Sequence, residues 1–268
     1  MSSPTELYKA GRLAAAVAAQ IDEVKAHPAD HSRRLFLFEL VAFTGDLDRA
    51  RRQIDAVKYD DPALIQALNG YKLCLDAETA RRDLFAKGKR PEFLGEPPAH
   101  VQLRLQAIDK LRDVDQAGAT ALLAEANAGV AELSGTLNGA PFQGLRDADD
   151  LFGPVLEVFI RGKYLWVPLE QVATLTANPP KFPRDLVWFP VRLTAVGGES
   201  GEVFLPALYP GSHDHADDQV KLGRATDWKL TDGGPVLGAG LKTFLVGEDA
   251  TPLPDWRELV MTVGEPGA

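Results

Sequence analysis

The chain contains the stretch Gly11-Arg12-Leu13-Ala14-Ala15-Ala16 and, 34 residues later, the stretch Gly45-Asp46-Leu47-Asp48-Arg49-Ala50. Glycine, leucine and alanine keep the same spacing in both copies, and Pro28 has a counterpart in Pro62. A glycine permits the tight turn between two helices, and a small alanine lets the two helices approach closely. A proline ends a helix because it has no N–H to donate. The two copies therefore predict pairs of short helices.

The surrounding residues have the period of amphipathic helices. From Ala10 to Val24, apolar residues recur at steps of three and four, and further helical stretches are predicted over 64–84, 101–111 and 117–133. A 34-residue period is typical of tetratricopeptide helix pairs, and 114–119 is predicted to open a third copy that lacks the turn glycine. An all-helical bundle without a true repeat is the alternative.

The composition changes near residue 135, since 13 of the 19 prolines and all four tryptophans lie beyond it. Residues 156–160 and 163–167 predict a β-hairpin with the two-residue loop Arg161-Gly162. A second hairpin is predicted from 186–196 and 202–208, and further strands from 242–246 and 258–263. Several short strands separated by turns are typical of a small barrel or sandwich.

These patterns predict an α+β fold with two domains. An all-α, tetratricopeptide-like domain is expected over residues 1–134, and a small, mainly β domain of barrel or sandwich type over 135–268. Residues 135–143 are interpreted as the connector between them. The residues Leu37, Phe38 and Val41 are expected to line a partner-binding groove of the helical domain, although a helical core would use the same residue types.

The bulk composition excludes several classes of protein. The start of the chain lacks the basic and apolar regions of a secretory signal, and no apolar run reaches the roughly 18 residues of a membrane span. The single cysteine, Cys74, fits a reducing compartment, so we expect a cytoplasmic protein. The net charge of −9 leaves no obvious basic face for nucleic acid.

Candidate catalytic motifs are incomplete. His213 and His215, with Asp217, could bind a divalent metal, but a solvated turn explains them better because no third His or Cys is near in sequence. Residues 238–243 lack the glycine that precedes the lysine of a phosphate loop. The acidic segment 146–150 is interpreted as a capped turn in which Arg146 forms an ion pair. We therefore expect no catalytic residue, no metal and no cofactor.

The second half of the chain resembles a known family. The similarity lies in Gly144-Leu145-Arg146-Asp147-Ala148-Asp149-Asp150, Gly162-Lys163-Tyr164-Leu165-Trp166-Val167-Pro168, Phe204-Leu205-Pro206-Ala207-Leu208-Tyr209-Pro210-Gly211-Ser212 and Gly223-Arg224-Ala225-Thr226-Asp227-Trp228. These motifs resemble the ImpE, or SciE-type (TagJ), accessory proteins of bacterial type VI secretion. The resemblance singles out Arg146, Asp147, Asp149, Asp150, Lys163, Tyr164, Trp166, Pro206, Arg224, Asp227 and Trp228 as family motif residues.

The resemblance implies a protein-binding role in a contractile secretion machine. The implied partners are the small subunit of the type VI sheath and the AAA+ ATPase that recycles contracted sheath, and a homodimer is also possible. A metal-dependent hydrolase using His213, His215 and Asp217 is an alternative. A structural self-association module is another.

Overall fold

The structure is a computed structural model that describes residues 2–262. The first half is helical, and the second half consists mainly of strands with one short helix. The helices are α1 (Pro4–Lys9), α2 (Leu13–Ala26), α3 (His31–Phe43), α4 (Leu47–Asp55), α5 (Pro62–Lys87), α6 (Ala99–Arg112), α7 (Gln116–Ala128) and α8 (Asp218–Lys221). Within residues 2–262, no helix combines the length and the apolar composition needed to cross a bilayer.

The strands follow α7 without a long linker. They are β1 (Ser134–Leu137), β2 (Ala140–Gln143), β3 (Leu145–Asp147), β4 (Val155–Ile160), β5 (Lys163–Pro168), β6 (Val172–Ala177), β7 (Trp188–Ala195), β8 (Ser200–Pro206), β9 (Thr226–Lys229), β10 (Leu237–Gly240), β11 (Thr243–Val246), β12 (Asp249–Pro252) and β13 (Glu258–Met261). Both predicted hairpins are confirmed as β4–β5 and β7–β8. The predicted strand over 258–263 ends at Met261, and Val263 lies outside the described residues.

The turns between paired helices explain the repeated glycines. Gly11 and Gly45 precede α2 and α4 with φ of +72° and +75°, in the left-handed region that glycine adopts without strain. Val114, with φ of +64°, takes the same place before α7, so a third turn forms without glycine. The fourth residue of each following helix is a fully buried alanine: Ala16, Ala50 and Ala119. The helical half is thus compatible with a repeat fold.

Two details of the repeat differ from the prediction. Pro62 opens α5 instead of ending α4. Proline suits the first position of a helix because an N–H there would have no partner within the helix. The stretch predicted helical to residue 133 ends at Ala128, where α7 stops.

The main sheet is open, so of the two predicted forms, barrel or sandwich, the barrel is wrong. Its eight strands have the order β2-β1-β13-β6-β7-β8-β4-β5, and neighbouring strands are antiparallel. Closure would require β2 to pair with β5. The outer edge of β5 instead pairs with Glu92, whose N–H donates to the Tyr164 carbonyl at 2.9 Å and whose carbonyl accepts from Trp166 N–H at 3.0 Å.

The segment interpreted as a connector, 135–143, belongs to this sheet. It forms most of the β1–β2 hairpin, whose turn residues Asn138 and Gly139 have φ of +53° and +81°. Asn-Gly is a strong signal for a two-residue hairpin turn, and the sequence interpretation overlooked it.

Strands β4 and β5 are buried on both faces, which accounts for their continuous apolar sequences. In β5, Tyr164 and Trp166 pack with the helices, whereas Leu165 and Val167 pack with the opposite cluster. That opposite cluster includes Phe244 of the small sheet β12-β11-β3. The core of the helices therefore continues into the sheet.

Candidate functional site

An open cleft separates the first half of α5 from the sheet, and we call it the α5 groove. It is bounded by α5, by the β4–β5 turn and by β7 and β8, and its volume is about 560 Å³. Its lining is mainly apolar or small: Ala63, Ala67, Gly70, Tyr71, Leu73, Cys74, Phe159, Gly162, Pro190 and Phe204, with Gln66, Asn69, Arg161 and Glu202 as polar members.

Small residues on α5 form the floor of the groove. Ala63, Ala67, Gly70 and Cys74 follow one another at steps of four, three and four, so they share one helix face. Leu73 stands beside this face with 41% of its surface exposed. An exposed leucine beside small residues leaves apolar surface that another chain can cover.

The position of the β4–β5 turn depends on a glycine. Gly162 has φ of +84°, and a side chain at this position would meet Leu73 Cδ2 at 3.2 Å. The turn therefore lies directly on α5. Tyr71 of α5 packs on Phe204 of β8, with ring centroids 5.3 Å apart.

A buried network of charges fixes α5 to the sheet. Arg81 of α5 donates two hydrogen bonds of 2.7 Å to the Glu157 carboxylate of β4. Lys242 lies 3.2 Å from Glu157 and 2.8 Å from Asp147, so it bridges the two carboxylates. The Tyr164 and Tyr209 hydroxyls donate to Glu157 and Asp147, both at 2.6 Å. Every charge of this network has a partner.

The electrostatics of the network differ between its carboxyl groups. Burial opposes ionisation of Glu157, but the charges of Arg81 and Lys242 hold its pKa below the ordinary value. Burial raises the pKa of Asp147 despite Lys242. Burial and the nearby Asp147 charge raise the pKa of Asp149 to about 7. The side chains of Arg81, Asp147, Glu157 and Lys242 are at most 4% exposed, which gives a substrate no access to them.

The raised pKa of Asp149 gives a pH-dependent stability. Its protonated form is favoured in the folded state, so its contribution is complete below pH 4 and is lost as the pH rises through about 7. Between pH 5 and pH 8 we expect the free energy of unfolding to fall more for the wild type than for Asp149→Asn. The difference between the two proteins should grow by at most about 1.4 kcal/mol per pH unit. Urea unfolding at both pH values measures this, and parallel curves for the two proteins would contradict it.

The acidic segment predicted to be a capped turn has that role. Asp147 Oδ1 accepts from Asp149 N–H at 2.9 Å, and Asp149 Oδ1 accepts from Leu151 N–H at 2.8 Å. Arg146 lies 3.5 Å from Asp150, as an exposed ion pair. The predicted turn is confirmed. The sequence interpretation did not predict that Asp147 and Asp149 are buried beside the charged network.

The other family motif residues are separated across the sheet. Trp166 is buried, whereas Lys163 is exposed and pairs with Glu92 at 2.8 Å. Pro206, at the end of β8, is also buried and lies opposite Trp188 in the sheet. Trp228 packs against Tyr209 with ring centroids 5.8 Å apart. These residues support the fold and do not converge on one site.

Arg224 joins the second half to the first helix. Its guanidinium donates to the carbonyls of Tyr8 and Lys9 at 2.7 and 3.0 Å, and it lies 4.7 Å from the centre of the Tyr8 ring. Asp227 lies 3.1 Å from His215 Nε2, within the second half of the chain.

The predicted groove residues of α3 do not line an open surface. Leu37 is 3% exposed, and Phe38 and Val41 are fully buried. Phe38 stacks on Trp188 of β7 with ring centroids 6.0 Å apart. The sheet therefore covers this face of α3, and the expectation that it binds a partner is corrected. The open groove lies on α5.

The segment from His213 to Asp218 contacts the turns that precede α2 and α4. His213 packs against Gly45, and a side chain added at Gly45 would lie 2.2 Å from the His213 ring. Asp218 accepts a hydrogen bond from Leu13 N–H at 2.8 Å. Asp217 caps α8 by accepting from Gln219 N–H. Within residues 2–262, no three His, Cys, Asp or Glu side chains are placed to hold a metal ion.

Known proteins resemble this chain in sequence and in fold. The ImpE protein family matches residues 139–260. The type VI secretion system accessory component TagJ of Pseudomonas aeruginosa is 37% identical over 254 residues, which cover 95% of this chain and 89% of that protein. The crystal structure of protein VPA1032 from Vibrio parahaemolyticus superposes with a TM-score of 0.87 at 29% identity, over 98% of both chains. On this similarity along nearly its whole length, the chain belongs to the ImpE family.

Proposed function

We propose that this protein is a non-catalytic adaptor of a type VI secretion system that binds the small sheath subunit in its α5 groove. The observation that carries the proposal is the groove itself, an open and mainly apolar cleft between α5 and the main sheet. The relative from Pseudomonas aeruginosa is named as an accessory component of this system, which supports the setting.

The shape of the groove favours a helical or extended segment. A second cleft of about 420 Å³ shares Pro190, Glu202 and Phe204 with it and continues along β6, β7 and β8. The two clefts together form an elongated surface, which suits a segment of several turns better than a compact ligand. The small residues of α5 let a partner helix approach closely, as in helix-in-groove recognition.

The chemistry of the rest of the chain supports an adaptor more than an enzyme. The charged network is closed to solvent. His213 lies against Gly45, His215 faces Asp227 and accepts from Asp217 N–H at 3.0 Å, and the Asp217 carboxylate caps α8. We place the protein in the cytoplasm with the sheath. Bound to the small subunit, it would stand between the sheath and the AAA+ ATPase and so affect recycling. Self-association stays a prediction.

Filling the groove should weaken this binding strongly. Ala67 is exposed on the groove face of α5, so Ala67→Trp fills the cleft without entering the core. We expect the affinity for the purified small sheath subunit to fall by at least about tenfold. Biolayer interferometry or calorimetry with the cognate subunit measures the change.

The same helix provides the control. Ala80 is also exposed on α5 but does not line the groove, so Ala80→Trp should bind within about twofold of the wild type. Equal binding by the wild type and Ala67→Trp would place the contact elsewhere. No binding by the wild type would refute the sheath subunit as the partner.

A further inference from the structure

Arg161 occupies an unusual position for an arginine. It is the first residue of the two-residue turn between β4 and β5, with φ of +49°, and Gly162 follows with φ of +84°. Two consecutive left-handed residues define a turn in which asparagine, aspartate and glycine are preferred. An arginine is strained there, and strained residues concentrate at functional sites. The turn backbone therefore does not favour arginine over asparagine or glycine at this position.

The Arg161 side chain lines the α5 groove and is exposed. The cations beside it are already paired, since Lys163 lies 2.8 Å from Glu92 and Arg192 lies 3.5 Å from Glu202. Among the residues from 2 to 262, no carboxylate lies within 4.0 Å of the Arg161 guanidinium. Its charge is thus free to meet a ligand.

The groove has a charge that a partner must complement. Arg161 and Glu202 are the charged residues of its lining, and Glu202 faces Arg192. One positive charge remains in a cleft whose uncharged lining is mainly apolar. The planar guanidinium matches a carboxylate through two parallel hydrogen bonds, which adds geometric specificity to the charge attraction.

We propose that Arg161 selects the partner by binding an Asp or Glu side chain on an apolar segment that fills the α5 groove. This inference rests on the proposed function, because it takes the small sheath subunit as the source of that segment. The apolar part of the segment would cover Leu73 and Phe204, and its carboxylate would lie at the β4–β5 turn. Arg161 would then contribute specificity, and the apolar walls most of the contact area.

The substitution Arg161→Asn separates the side chain from the turn. Asparagine adopts the left-handed conformation readily, so the hairpin should keep its shape and the melting temperature should not fall. At about 50 mM NaCl we expect the affinity for the purified small sheath subunit to fall about tenfold, whereas Arg161→Lys should lose less. For the wild type, raising NaCl to about 500 mM should weaken binding several-fold, and Arg161→Asn should be much less sensitive to salt.

A neighbouring cation gives the matched control. Lys163→Asn removes one positive charge two residues away, outside the groove lining, and should bind within about twofold of the wild type. Equal losses for both variants would mean a general charge effect and would overturn the proposal. If the wild type binds the subunit and Arg161→Asn binds equally well, the role of Arg161 is refuted and the adaptor function stands. If the wild type does not bind the subunit at all, both are refuted.

Discussion

Arg81→Met should destabilise the protein by about 3–5 kcal/mol, because it leaves the buried Glu157 carboxylate without its main partner. Glu157 is fully buried and accepts both hydrogen bonds of the Arg81 guanidinium at 2.7 Å. After the substitution, Lys242 alone would face Glu157 and Asp147 together. Urea unfolding followed by tryptophan fluorescence measures the loss, and Trp166 and Trp188 are both buried near the network.

The double variant tests whether the pair acts as a unit. Replacing both partners, as Arg81→Met with Glu157→Met, removes the unpaired charge and should cost less than the sum of the two single losses by about 2 kcal/mol or more. The exposed pair Lys163–Glu92 is the control, and Lys163→Met should cost less than about 1 kcal/mol. A loss below about 1 kcal/mol for Arg81→Met would show that the network does not hold α5.

Local sequence signals predicted the elements well. The Arg161-Gly162 hairpin could be found because two residues of loop separate two apolar runs, and the helix pairs because a glycine precedes each repeat. Val114 shows the limit of that signal, since the same left-handed turn forms without glycine when the flanking helices impose it. Asn138-Gly139 was a readable turn signal, but residues 135–143 were interpreted as a connector.

The site was harder to predict, because its parts are distant in sequence. Arg81 and Glu157 are 76 residues apart, and Asp147 and Lys242 are 95 apart. A charged residue inside an apolar strand, such as Glu157 in β4, indicates a buried partner but does not say which one. The groove on α3 was misplaced for a similar reason. Helical period shows that Phe38 faces inward, but it cannot show that a sheet covers it.

Separating the chain at residue 134 should leave neither half folded, although the secondary structure changes type there. Phe38 and Tyr71 of the helices pack on Trp188 of β7, with ring centroids 6.0 and 6.5 Å apart. Phe85 of α5 packs on Phe152 at 6.3 Å. Uncovering such a side chain costs about 1.5–3 kcal/mol, and the shared core contains many of them. The expected total exceeds the stability of an ordinary domain.

We therefore expect residues 1–134 and residues 135–268, expressed separately, to aggregate or to lack cooperative unfolding. The full chain should unfold in one calorimetric transition, and the two halves expressed together should associate. A chain cut in the exposed loop at Gly197-Gly198 is the control and should keep its fold, because neither glycine has an atom of another element within reach of an added side chain. A soluble, cooperatively unfolding 1–134 fragment would show instead that the helices fold alone and that the sheet is docked on a finished domain. In that case the α5 groove would be a joint between two domains, able to open and close, whereas a shared core makes it a cleft of fixed width that a partner must fit.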